Sequence, residues 1–551
     1  MYGQNEVLLV IALVVCLNCC HTWNLLPAVD TPCGRIEGLR MLVQNTDTTF
    51  TEIHSFLGIP YATAPIGKLR FKKAKPITSW FGVFAATKKS PQCVQDVEAF
   101  PKVQWVSRQE EISEDCLYLN IWAPKTPTLK PVLVWIHGGG FNTGSSTNDI
   151  YDGTTLAAFG DVIVVSMNYR IGVLGFFSAG TEDAPGNMGL HDQYLALLWV
   201  KNNIFAFGGD PDKITIFGES AGAVSVSLHL VSPWSRGLFN RAILQSGSFY
   251  HPLADANPTL NIVRGEMFAR SLGCADENTS LINEPKNVVH CLRKLSIQKL
   301  IKEESKLIKE MAISFIPTNG DDFLPINPLE ALNNEDLNTV NLLIGNNRDE
   351  GSILTALLIP QFFNDSQIKN LTADKANFYI KSLFQSFPQS VSDLISDQYI
   401  KSTSDYRALR QRISEAYGDY IVVCPSILFS RKWAEKTNKV YYYLFSHRPS
   451  NTIWQEWTGV PHFDEVQFVF GLPLRYPRNY TLVELWFSKK IMAIWTSFAR
   501  HGTISNAVPE WSTYSSENPV YHDLAPFESK ISKGLKEEEC NMWDQIFQTV
   551  S

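Results

Sequence analysis

The sequence predicts an α/β fold built on a large, mainly parallel central sheet with helices on both faces. Two observations carry that expectation. Short apolar runs, each ending in a polar or glycine-rich loop, alternate with segments of helical spacing. The runs are apolar throughout rather than at every second residue, so each strand is buried on both faces, as in parallel sheets. A third observation sets the organisation. No repeat, low-complexity tract or Gly/Ser linker divides the 551 residues. Residues 21–551 therefore read as one domain, although length alone suggests several.

Taken in order, Val7–Leu17 is an apolar run too short to span a bilayer, which needs roughly 20 residues. Small and polar residues follow at Asn18–Thr22, so residues 1–20 read as a secretory signal peptide, although the start carries no Lys or Arg. A buried N-terminal element is the alternative. Val132–Ile136 is a strand that ends in His137-Gly138-Gly139-Gly140, and Val162–Met167 is a β-branched strand that ends at Asn168-Tyr169-Arg170. Met188–Ile204 has helical spacing through Leu190, Tyr194, Leu197 and Leu198. Lys213–Phe217 is a strand and Ala221–Leu230 a helix; Arg241–Leu244, Asn341–Ile344 and Val440–Phe445 are further buried strands. In such a sheet the chemistry sits in loops at the carboxyl ends of the strands.

Hydrophobic residues make up 45% of the chain and charged residues 19%, which describes a globular protein with a large core. The net charge of −7 argues against a sequence-independent grip on nucleic acid or anionic lipid. No later stretch reads as a membrane span, and Trp543–Ser551 carries no hydrophobic anchor tail. Of ten cysteines, Cys16, Cys19 and Cys20 fall in the signal region. None of the remaining pairs has the C-x-x-C spacing of a zinc or redox site. Sequential pairing in an oxidising compartment would join Cys93–Cys116, Cys274–Cys291 and Cys424–Cys540. Cys33 is left over, either free or joining two chains. Sequons at Asn278, Asn364, Asn370 and Asn479 fit a secreted, glycosylated surface.

Gly218-Glu219-Ser220-Ala221-Gly222 is G-x-S-x-G between a strand and a helix, the context in which that motif exposes a nucleophilic serine. The turn is tight, the flanking glycines avoid Cβ clashes, and the following helix points its positive end at the same place. Attack on a carbonyl creates an oxyanion that needs preset donors. Gly139 and Gly140, after an upstream strand, and Ala221, after the serine, can present backbone N–H groups to it.

These residues resemble the type-B carboxylesterase family of the α/β-hydrolase fold, and within it the cholinesterases. The segments are Glu114–Pro124 (EDCLYLNIWAP), Val134–Gly140 (VWIHGGG) and Phe217–Ala223 (FGESAGA). Further matches are Gly208–Phe217, Arg241–Ser248, Asn347–Ser352 and His447–Leu474, so the resemblance runs from about Gly34 to Trp543. It implies a triad of Ser220, Glu350 and His462, in the chain order expected for the fold. The residues alone do not choose His462 among the histidines or Glu350 over Asp349. The resemblance also implies the same three disulfides, an acyl-serine mechanism, and neither metal nor cofactor. Family members pair through a four-helix contact that includes the C-terminal helix. Lys489–Arg500 and Cys540–Phe547 are compatible with such a homodimer.

The expected substrate is a small ester with a cationic alcohol. A quaternary ammonium group binds best over an aromatic face with carboxylates nearby. Trp105, Glu219 and Tyr151 match the corresponding positions of cholinesterases, with the Trp105-to-Cys116 spacing one residue longer. Elsewhere aromatics give way to aliphatic or acidic residues: Ile353 and Leu354 after Glu350-Gly351-Ser352, Met311 and Ile313 at the acyl pocket, Leu253 at another pocket position, and Asp96 and Glu98 at the mouth. Such swaps imply a wider, aliphatic site with relaxed acyl selectivity. Two alternatives stand beside this reading: a general carboxylesterase of neutral xenobiotic, lipid or hormone esters, and a non-catalytic adhesion protein on the same fold.

Overall fold

The computed structural model describes residues 26–45, 49–98, 103–250, 257–311, 315–333, 337–400, 405–437, 439–504, 507–527 and 530–550. The signal segment with its three cysteines, Leu253 and Ile313 lie outside these residues, and so does the Met311 side chain.

Eleven strands form the central sheet: β1 Leu39–Gln44, β2 Phe50–Pro60, β3 Tyr118–Pro124, β4 Lys130–Ile136, β5 Ile163–Met167, β6 Gly209–Glu219, β7 Arg241–Gln245, β8 Asn341–Asn347, β9 Val440–Phe445, β10 Val520–Leu524 and β11 Lys530–Lys533. Their spatial order is β11-β10-β9-β8-β7-β6-β4-β5-β3-β2-β1. From β10 to β5 every pairing is parallel. The flanks β11 and β3-β2-β1 are antiparallel.

The apolar runs of the sequence all lie in the parallel centre. β4 is buried at all seven positions. Its Val132, Val134 and Ile136 face one apolar layer, while Leu133 and Trp135 face the other. β2 instead reads Phe-Thr-Glu-Ile-His-Ser at its start and is only partly covered there. Antiparallel strands tolerate a wetted face, as β1 and the start of β2 have, whereas β3 is buried from Leu119 to Pro124.

The helices that bear on the site are α1 Met188–Asn203, α2 Ala221–Val231, α3 Ile297–Met311, α4 Gly351–Leu358, α5 Tyr406–Gly418, α6 Cys424–Ala434, α7 Leu482–His501 and α8 Glu537–Val550. A π-type turn over Asp419–Val423 joins α5 to α6. α2 has no exposed residue, because it lies directly on the sheet behind Ser220. α7 begins at a capping box. Thr481 Oγ1 accepts from Glu484 N at 3.3 Å, and Thr481 N donates to Glu484 Oε2 at 2.8 Å. It ends at Gly502, whose left-handed φ of 69° lets its N–H close on the Phe498 carbonyl.

Disulfides join Cys93–Cys116, Cys274–Cys291 and Cys424–Cys540, with Cα separations of 5.0, 5.5 and 4.9 Å. Cys33 is unpaired and buried, so it offers no surface thiol to a second chain. The asparagines of all four sequons are exposed. None of the described helices is long and apolar enough to cross a membrane.

Strand order reverses at β4, which has β5 on one side and β6 on the other. Ligands of open α/β sheets bind beyond the carboxyl ends of strands at such a reversal. The loop after β4 carries Gly138–Gly140, and the turn after β6 carries Ser220.

Candidate active site

Ser220 sits at the sharp turn between β6 and α2 with φ 57° and ψ −124°. That is a strained conformation for a residue with a Cβ. Neighbouring backbone holds it there: Ser220 N donates to Gln245 O and Val224 N donates to Ser220 O, both at 2.9 Å. The turn needs the flanking glycines because α2 presses on the end of β4. A Cβ on Gly222 would lie 2.1 Å from Ile136 O, and one on Gly218 would lie 2.6 Å from the same atom.

His462 Nδ1–H donates to Glu350 Oε2 at 2.5 Å. The other oxygen of Glu350 accepts from Asn347 N and from Ser246 Oγ, each at 2.6 Å. Glu350 follows β8, so sheet, turn and two donors fix its carboxylate before it meets the imidazole. Asp349 points elsewhere. Its Oδ2 accepts from Val460 N at 2.8 Å and pairs with Arg348 at 2.9 Å, which anchors the loop that delivers His462. Of the two acids, Glu350 meets the imidazole and Asp349 does not. His229, another buried histidine, is taken up by Ser235 and Gln193 instead.

His462 Nε2 lies 2.9 Å from Glu219 Oε1, in the residue just before Ser220. That oxygen has no partner of good hydrogen-bond geometry, so the contact is chiefly electrostatic. Burial works against a charged imidazole, but the Glu219 and Glu350 carboxylates outweigh it and raise His462 well above its usual range. Glu219 itself is raised by burial, against the pull of His462. A histidine must be neutral to accept a proton. The acid limb of kcat/KM is therefore expected above pH 6.5. Glu219→Gln removes one of the two carboxylates and is expected to move that limb to lower pH. A pH–rate profile that does not move would contradict this role for Glu219. The same raised value gives a stability term that is full below the unfolded-state pKa and is lost as pH rises through the folded one.

Gly139, Gly140 and Ala221 line the same open cleft as Ser220 and His462. Gly139 has φ 111° and Gly140 has φ 62°. A Cβ on Gly139 would lie 2.2 Å from Thr143 O, so only glycine fits this turn. Trp105 and Glu219 also line the cleft, and Trp105 is only 9% exposed. Its ring centre lies 6.5 Å from that of His462, edge to face.

Leu354 lines the cleft with Leu357 and Leu358, the residues one turn further along α4. Ile353 does not; it is fully buried in the core. Tyr151 packs among Trp135, Phe463 and Phe470 and is not among the residues at the cleft wall. Asp96 accepts from Ser305 Oγ of α3 at 2.5 Å, away from the triad.

Several contributors are not singled out by the sequence, although Ser246, Asn347 and Glu465 lie inside the matched segments Arg241–Ser248, Asn347–Ser352 and His447–Leu474. Ser246 and Asn347 hold Glu350. Tyr417, Ile421 and Val422, from α5 and the π-type turn, complete the wall of the cleft. Glu465, fully buried three residues after His462, accepts from Gln245 Nε2 at 2.9 Å and Asn347 Nδ2 at 2.8 Å. Burial, reinforced by Glu219 and Glu350, pushes its carboxyl up to about 8. Nothing in the spacing of these residues marks them, since they meet only through the sheet.

The arrangement offers an acid-held imidazole, a serine on a strained turn and a glycine-rich loop in one cleft. Among the described residues, no group of acidic, histidine or cysteine side chains could hold a metal ion. The model of the carboxylesterase family matches residues 26–543. Acetylcholinesterase-1 of Trittame loki is 38% identical over 541 residues, covering 95% of this chain and 94% of that protein. The cholinesterase of Mus musculus is 40% identical over 539 residues, with 95% and 87% covered. An acetylcholinesterase of Bungarus fasciatus is 38% identical over 536 residues, with 94% and 86% covered.

Proposed function

Because the chain belongs to the carboxylesterase family and is a serine hydrolase of carboxylic esters, we propose that its substrates are choline esters and that it accepts acyl groups of varied size. The observation that carries the choline reading is Trp105 at the cleft wall beside Glu219 and His462. An indole face with a carboxylate nearby suits a quaternary ammonium group. The names of the three relatives point the same way. Relaxed acyl selectivity is supported by the aliphatic wall of Leu354, Leu357, Leu358, Ile421 and Val422.

In this reading His462 takes the proton from Ser220 Oγ as it attacks the ester carbonyl. Glu350 holds the tautomer and balances the imidazolium. The N–H groups of Gly139, Gly140 and Ala221 receive the oxyanion. The imidazolium then protonates the departing alcohol, and water repeats the sequence on the acyl-serine.

Secretion belongs to the same proposal, with residues 1–20 as signal peptide and glycans on Asn278, Asn364, Asn370 and Asn479. So does a homodimer through α7 and α8. Leu482 and Trp486 on α7 support it, being exposed by 84% and 54%.

The test is a panel of acetyl-, propionyl- and butyrylthiocholine beside an uncharged isostere, 3,3-dimethylbutyl thioacetate. The three thiocholine esters are expected to react within about tenfold of one another. Trp105→Ala is expected to cut kcat/KM for the cationic ester by roughly tenfold more than for the isostere. Sharp acetyl selectivity would overturn the acyl claim. Equal losses on both esters would leave the neutral-ester reading.

A further inference from the structure

Eight non-glycine residues among those described have positive φ, and four of them are at or next to the site: Phe141 after Gly140, Ser220, Ser246 and Phe463 after His462. The two serines are small and hydrogen-bonded. Phe463 is bulky, and although its carbonyl accepts from Val466 N at 3.2 Å, its side chain has no hydrogen-bonding group, yet it has φ 82° directly after His462. A bulky side chain in that region is an outlier that persists only where its surroundings over-determine it.

The surroundings of Phe463 are aromatic. Its ring centre lies 5.4 Å from Trp105, tilted by 60°, and 6.2 Å from Tyr151, edge to face. It is 4% exposed and shares one apolar cluster with Val103, Val106 and Val460. Trp105 therefore touches two consecutive residues of one loop, the base His462 and the strained Phe463. Among the rings packed against the strained Phe463 is the same indole that lines the cleft.

We propose that Phe463 is a positioning residue that locks the Trp105 ring to the His462 loop, so that the aromatic wall and the catalytic base form one rigid unit. It thereby sets how strongly the cleft favours a cationic alcohol group. The second statement rests on the choline-ester reading; the first does not. Without the Phe463 ring, Trp105 loses a packing partner and His462 loses the constraint on its C-terminal neighbour. Both KM for the cation and kcat then suffer.

The experiment is a double-mutant cycle of wild type, Trp105→Ala, Phe463→Gly and the pair. Each is assayed on acetylthiocholine and on 3,3-dimethylbutyl thioacetate, with thermal unfolding as the check on folding. Phe463→Gly is expected to lower kcat/KM for acetylthiocholine about tenfold, and kcat for the isostere about threefold. The double variant is expected to be no worse than Trp105→Ala alone, because coupled residues are not additive. Phe463→Tyr, which keeps the ring, is expected to match wild type. If Phe463→Gly does not fold, Phe463→Leu, which keeps the volume without the ring, takes its place in the cycle with the same expectation. Losses that multiply in the double variant on both esters would overturn the coupling. A wild type that treats the two esters alike would sink the choline reading instead, while the cycle on the isostere still decides the role of Phe463.

Discussion

Ser220→Ala is expected to lower kcat by on the order of 10⁴- to 10⁶-fold and to leave the fold intact. The hydroxyl is the only nucleophile at the strand-to-helix turn, and the remaining site can do no more than bind and polarise the ester. Its removal does not disturb the turn, because the bonds that hold the turn run through the backbone of Ser220 to Gln245 and Val224. The Cβ of alanine keeps the unfavourable φ of 57°. Glycine does not pay that penalty, so Ser220→Gly should be equally inactive yet more stable than Ser220→Ala by about 1 kcal/mol, after the extra chain entropy of glycine is subtracted. Steady-state kinetics and denaturant unfolding of the two variants check both statements. An alanine variant that retained a hundredth of the activity would remove Ser220 from the centre of the reaction.

Glu350→Gln is expected to cost about 10⁴-fold in kcat, nearly without change in stability. The environment of the carboxylate shows why. Oε1 is an acceptor of two donors, Asn347 N and Ser246 Oγ. A glutamine at this position must keep its carbonyl oxygen there and turn its NH₂ toward His462 Nδ1. The imidazole then has to accept at Nδ1 and carry its proton on Nε2, the nitrogen that should receive the serine proton. The wrong tautomer blocks the base while the contacts persist. Glu350→Asp, which keeps the charge on a shorter stem, should lose far less. A glutamine variant with near-normal kcat would show that the tautomer is set by something other than Glu350.

How far the sequence predicts this molecule depends on which physical signal each part leaves. The parallel centre was legible because strands buried on both faces are apolar at every position, as in Val132–Ile136 and Val440–Phe445. The antiparallel flanks were not, because β2 interleaves Thr51, Glu52, His54 and Ser55 with its apolar residues. The nucleophile was legible because its turn demands glycine on both sides. Only the resemblance proposes Glu350 and His462 as its partners, and no local pattern shows that the two side chains meet. What separates Glu350 from Asp349 is which carboxylate meets Ser246 and which meets Val460. The cleft wall leaves the weakest signal. The sequence marks no helix over Gly351–Leu358, so it does not separate the face of Ile353 from that of Leu354 or pair Leu354 with Leu357 and Leu358 at i+3 and i+4. Phe463 shows the same limit. Its backbone angle, which no local pattern of sequence reveals, is what marks it.

The most direct test of the account is covalent. Secreted full-length protein is treated with an organophosphonate, and the labelled peptide is mapped by mass spectrometry, with and without excess tetramethylammonium ion. The account predicts one label per chain, on Ser220, with loss of esterase activity in step and slower labelling when the cation occupies the Trp105 face. Label on another residue, activity that survives full labelling of Ser220, or a rate indifferent to the cation would contradict it.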